Sequence, residues 1–216
     1  MPPFISFLHT SPVHVASFAR LLDAQAPGHV AEHHVEEALL AAAQQDGADD
    51  AVLTRRIHAA VAAAAAGGAA VVVCTCSTIG AAAERAPTDG RYTAMRIDRA
   101  MADAAVLAGP RIRVVAALAS TLAPTTRLLQ ESAATLGRPL QLQSLLAEDA
   151  WTHFQHGDHA AYIDAIVRSV TAATPAADVI VLAQASMAPA AQQLQDLGVP
   201  VLSSPALGVA LALAQL

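Results

Sequence analysis

The sequence predicts an α/β protein made of two pseudo-symmetric halves, each a parallel sheet flanked by helices, with a cleft between them. Three observations predict it. Short apolar runs alternate with longer alanine-rich stretches along the 216 residues, the signature of strand–helix–strand units. The best of those runs, VVVCT and DVIVLA, are apolar without alternation, as strands buried on both faces of a parallel sheet must be. The chain also echoes itself. A shift of 108 residues lays VVVCTCSTIGAAA (71–83) over VIVLAQASMAPAA (179–191), so that Val71, Val72 and Val73 meet Val179, Ile180 and Val181. Cys76 then meets Gln184, and Thr78 meets Ser186.

The elements follow in order. FISFL (4–8) reads as a strand, and SPVHVASFARLLDAQ as a helix. A short strand near His29 to His34 precedes the helix VEEALLAAAQQ. Thr54 to Gly67 is helical, stopped by Gly67 and Gly68, because glycine adopts the left-handed turn that ends a helix. VVVCT (71–75) is a buried strand, and a further strand precedes Asp98. The second half repeats the plan with the strand IRVVAALA (112–119) and a helix through TTRLLQESAATLG (125–137). The strand QLQSLL, the helix DHAAYIDAIVRSVTAAT (158–174), the strand DVIVLA, the short helix AAQQLQDLG and the strand PVLSS complete it. FISFLHTSP and IRVVAALAST resemble one another at a similar, looser shift. Two flavodoxin/Rossmann-like halves are thus expected: 1–100, joined by the C-terminal segment 204–216, and 101–203.

Composition narrows the function. Charged residues are only 14% and there is no lysine; the formal charge is −6. A phosphate-binding surface needs a basic stripe, so neither nucleic acid nor a membrane surface is an expected partner. No apolar run reaches bilayer length. The start, MPPFISFLHTSP, lacks the basic region and cleavage pattern of a signal peptide. Two cysteines one residue apart could close only a strained bridge, so free thiols and a cytoplasmic location are expected. A homo-oligomer is compatible with everything in the sequence.

Chemistry concentrates where the strand VVVCT ends. Cys76 stands at an expected strand-to-helix turn, where outward N–H groups and the helix dipole favour a thiolate. Ser77 and Thr78 add hydroxyl donors that could hold a carboxylate or an enolate-like charge. Cys74, two residues earlier, reads as a core residue. Ligands in open α/β sheets sit at the carboxyl ends of strands, so the repeat would set Cys76 opposite Gln184.

These stretches resemble a known family. TCSTIG resembles the first cysteine motif of the aspartate/glutamate (hydantoin) racemase superfamily, where a strand ends in Cys-Asn-Thr. LAQASMAP resembles its second motif, Leu-Gly-Cys-Thr-His or Leu-Gly-Cys-Ala-Gly-Met, and GVPVLSSPALG its C-terminal strand and turn. The resemblance implies an isomerase that uses no metal or organic cofactor and acts on a small carboxylate substrate. In that family two cysteines flank the substrate's α-carbon, one removing a proton and the other returning one. Carried over, the first is Cys76 and the second falls on Gln184, which has no titratable proton. A one-thiol acid/base is then implied, working as an isomerase or, as in a one-cysteine decarboxylase of the same superfamily, a lyase. Gln184, Ala185 and Ser186 become binding groups. The loop after the first strand, His9-Thr10-Ser11-Pro12, and its partner Ser120-Thr121 would supply carboxylate donors.

Alternatives stand beside this reading. His9 could tune Cys76 or serve as the second acid/base of a racemase or epimerase. The loss of the second cysteine could mark a non-catalytic protein that still binds small carboxylates. Ser and Thr also cap helices. Asp98 and the arginines in MRIDRAMADAA follow an expected strand and could border the cleft, but read first as a surface ion pair. His33-His34 with Glu36-Glu37, expected at a strand-to-helix boundary, and His153, His156 and His159 do not make a zinc pattern, so no metal is expected. Trp151, Phe154 and Tyr162 read as core. A dinucleotide fingerprint, a P-loop and a nucleophile elbow are missing from the sequence.

Overall fold

The computed structural model describes residues 3–173 and 176–216. Thr174, the last residue of the expected helix 158–174, lies outside them. The chain divides into two compact units, Met1–Ala100 with Pro205–Leu216, and Met101–Ser204.

In the first unit four parallel strands stand in the order β2-β1-β3-β4: β1 Ile5–His9, β2 Ala31–Val35, β3 Val71–Cys74 and β4 Thr93–Arg96. The central strands β1 and β3 are buried along their whole length, while the edge strands are partly exposed. That is the burial a parallel sheet covered on both faces requires. On one face lie α2 (Glu37–Asp46), α3 (Ala51–Ala65) and α4 (Gly80–Glu84), whose Leu39, Leu53, Ile57, Val61 and Ala82 join Leu8, Val72 and Cys74 in one core. The apolar positions of α3 recur at helical spacing, and Asp50 caps it by accepting the Leu53 N–H at 2.8 Å. α1 (Val13–Gln25) brings Phe18 against Phe7 and His9.

The second unit repeats the order as β6-β5-β7-β8: β5 Arg111–Ala116, β6 Gln141–Leu146, β7 Val179–Leu182 and β8 Val201–Ser203. Its helices are α6 (Ala119–Leu136), α7 (Glu148–Gln155), α8 (His159–Ala172) and α9 (Ala190–Gln193). Their core gathers Val115, Tyr162, Ile166, Ile180, Leu182 and Met187. α5 (Arg99–Ala108) runs from one unit into the other, and α10 (Ser204–Leu213) carries the chain back to the first.

Several elements differ from expectation. α6 starts at Ala119, six residues before the expected Thr125, and holds Pro124 inside it. A proline costs a helix one hydrogen bond, which is why the sequence pointed to a start beyond it. Ser120 and Thr121 are therefore first-turn helical residues, not a loop. His33 and His34 lie inside β2 rather than at its boundary with a helix. Arg96 and Asp98 do not form a surface pair: their side chains are 1% and 0% exposed.

Candidate active site

Cys76 owes its place to the way β3 ends. Ladder bonds hold the end on both sides: Thr75 N–H donates to Leu8 O at 2.9 Å, and Ile97 N–H to Cys74 O at 3.0 Å. Thr75 and Cys76 then leave the sheet, a turn covers Ser77 to Ile79, and α4 begins at Gly80. Cys76 is half-buried, whereas Ser77 and Thr78, within the turn, are buried. α4 is five residues long and starts four positions beyond the thiol. The expected support from a helix dipole is accordingly small, because that field is built from aligned turns. Both cysteines are free. Cys74 is sealed in the core, with its thiol directed at Cys76 O at 3.7 Å. Burial, with Cys76 adding to it, pushes the Cys74 thiol well above its ordinary range.

Thr10 and Ser11 follow β1, the neighbour of β3. Since Leu8 pairs with Cys74, Thr10 and Cys76 leave adjacent strands at matching positions. Thr10 is buried and Ser11 half-buried. The first unit thus brings a half-exposed thiol and a set of hydroxyls to the carboxyl end of its two central strands.

His9 is not part of that set. It is the last residue of β1, fully buried, and both ring nitrogens are engaged. Nδ1 lies 2.8 Å from Thr75 Oγ1 and Nε2 lies 2.9 Å from His33 Nδ1. Its ring stacks with Phe7 and His33, and His14 and Phe18 pack against it at a tilt. Burial, with charge repulsion from His14, His33 and His34 behind it, lowers His9 to about 3. A histidine kept neutral and bound at both nitrogens is a poor proton carrier, so these contacts speak against its expected role as second acid/base. It clamps Thr75 instead, one residue before Cys76.

The second unit builds the equivalent corner from other groups. β7 ends at Leu182, Ala183 N–H donates to Val115 O at 2.9 Å, and a single 3-10 turn covers Ala185–Met187. Gln184 Oε1 accepts two backbone N–H groups, from Ala117 at 2.7 Å and Leu118 at 3.0 Å. The amide thereby caps the entry to α6, whose own N-cap residue is a leucine with no polar side-chain atom to offer. Ser186 Oγ pairs with the Tyr162 hydroxyl at 2.8 Å, and Ala185 is buried. Ser120 Oγ is enclosed without a partner, and Thr121 is buried.

Arg96 and Asp98 lie against the Cys76 turn, through the Arg96 bond to the Ser77 carbonyl; the sequence set them near the cleft but favoured a surface ion pair. Their signal was an arginine that ends a strand and an aspartate two residues on, in the turn that follows. Among the described residues no three His, Cys, Asp or Glu side chains gather as metal ligands do.

The family profile for Asp/Glu/Hydantoin racemase matches residues 9–212. No curated protein matches. Among solved structures, the aspartate racemase of Picrophilus torridus superposes with a TM-score of 0.72 at 13% identity, over 98% of this chain and 93% of that one. A glutamate racemase isoform from Bacillus anthracis gives 0.70 at 14%, over 99% and 81%. An allantoin racemase from Pseudomonas fluorescens gives 0.59 at 19%, over 97% and 89%. At these identities the structures speak for the fold, two parallel four-stranded sheets flanked by helices. With the profile spanning nearly the whole chain, the protein belongs to the Asp/Glu/hydantoin racemase family.

Proposed function

We propose that this racemase-family protein is a cofactor-independent enzyme that moves a proton at the carbon next to a carboxylate of a small acid, with Cys76 as its lone acid/base. The observation that carries the reading is the contrast between the two thiols: Cys76 is half-exposed at a strand end followed by hydroxyls, while Cys74 is sealed in the core. Ser77, Thr78, Thr10 and Ser11 are the neutral donors for the carboxylate, and Ser120, Thr121, Ala185 and Ser186 are the binding groups of the second unit. Gln184 supplies no proton, and its Oε1 is already taken by two backbone donors. The ordinary two-thiol exchange is therefore reduced to one-sided chemistry of the isomerase or decarboxylase kind. Free thiols suit a reducing cytoplasm. No described helix is long and apolar enough to cross a membrane.

The test is turnover of a panel of amino, hydroxy and aryl-substituted dicarboxylates by the parent and by Cys76→Ser. A positioned acid/base contributes about a hundredfold or more, and the variant loses at least that. Undiminished turnover of an identified acid removes Cys76 from the mechanism. Gln184 favours one second reading, a carboxylate-binding protein derived from a racemase. Saturable binding of a panel acid with no turnover in the parent selects that reading.

A further inference from the structure

The turn that carries Cys76 rests on an ion pair that the proposed chemistry does not use. Arg96 Nε donates to Asp98 Oδ1 at 2.6 Å, and Nη2 donates to Asp98 Oδ2 at 3.0 Å, a two-pronged grip that fixes the guanidinium plane. The same Nη2 also donates to the Ser77 carbonyl oxygen at 3.4 Å. β4 sets Arg96 in register with Cys74. Gly80 leaves the necessary room, since a Cβ there would lie 3.1 Å from both Cβ and Nε of Arg96. Arg99, bound to Glu84, ties the far end of α4 to α5. A buried ion pair is commonly no better for stability than apolar side chains of the same volume. The Ser77 carbonyl gives this one a use of another kind.

We infer that Arg96 is a positioning residue for Cys76: oriented by Asp98, it holds the Ser77 carbonyl and so fixes the turn over residues 76–80. The inference rests on the reading of Cys76 as the acid/base and names what aims it. It also says what Arg96 does not do. The guanidinium is 1% exposed and its charge answers Asp98, so it is no anchor for a substrate carboxylate.

Two variants separate positioning from plain stability. Arg96→Met with Asp98→Leu replaces the pair by apolar side chains of similar bulk. Arg96→Lys keeps a charge against Asp98 but cannot span to Ser77 as well. Backbone hydrogen exchange is read by mass spectrometry across the 76–80 turn and across β1. In the double variant the turn exchanges at least about tenfold faster while β1 keeps the parent's rate. Arg96→Lys recovers thermal stability without recovering the turn's protection. For any acid that the panel identifies, kcat falls about tenfold or more with KM little changed, as misaiming of a reacting group predicts. Turn exchange at the parent's rate, or turn and β1 accelerating together, overturns the inference. Should the double variant not fold, turn exchange in Arg96→Lys decides alone. If the parent turns over no acid, the reading of Cys76 fails, and hydrogen exchange still judges the hold on the turn.

Discussion

Residues 74 and 76 are both cysteines, but one is the buried last residue of β3 and the other lies half-buried beyond it, and burial limits what a thiol can do. Cys74 stays protonated in the core because a thiolate there would lack solvation. Cys76, past the end of the strand, is open to solvent on one side. The histidines near it follow the same rule with the opposite charge sign. Burial lowers His14 to about 4, and His9 lies at about 3 for the reasons given above. Each refuses a proton in the folded state that an unfolded histidine accepts near pH 6.5. Between pH 6.5 and 4 the unfolded chain therefore binds more protons, and stability falls as pH falls. The loss is up to about 1.4 kcal/mol per pH unit for each histidine. Urea unfolding midpoints at pH 7 and pH 5 should drop accordingly; equal midpoints contradict the burial of His9 and His14. That Cys76 leaves the strand half-exposed while Cys74 stays in the core was legible, since the apolar run ends before it; the burial of Ser77 and Thr78 was not. The partners of His9 were not legible, because His33 is 24 residues away and only strand pairing brings it near.

Elements were legible to the extent that their patterns were uniform. β1, β3 and β7 are buried throughout, and β5 is buried beyond Arg111; runs rich in apolar residues announce such strands. α7 was missed because Glu148–Gln155 is only eight residues long, about two turns, too short for a helical period to stand out. The start of α6 was misplaced because a proline inside a helix breaks a rule that tertiary contacts can override. Arg96 and Asp98 resemble any surface pair until β4 is seen to bury them. At this scale the return helix α10 makes a sharp prediction. Gly208 passes so close to the end of β4 that a Cβ would lie 2.1 Å from Ile97 O and 2.5 Å from Ile97 Cδ1. Backbone cannot give way as a side chain can, so Gly208→Ala should cost about 1–3 kcal/mol, although alanine is the better helix former. Thermal unfolding measures it, and an unchanged midpoint would mean that α10 does not dock there so tightly.

The whole molecule is one plan used twice. Both sheets have the same strand order, and β3 and β7 occupy the stretches that the internal repeat aligned. What differs is the corner after each central strand. In the first unit a thiol leaves the sheet on a turn held from below; in the second an amide oxygen is used to cap a helix. Proton transfer as proposed belongs to one unit only, and that is the central claim. Its most direct measurement is the stereochemistry of deuterium delivery in D2O, using whichever panel acid turns over and following the α-carbon by NMR and chiral chromatography. One thiol should place deuterium on a single face, yielding one enantiomer, and Cys76→Ser should deliver none. Both enantiomers formed at the rate of deuteration, or delivery that persists in Cys76→Ser, would contradict it.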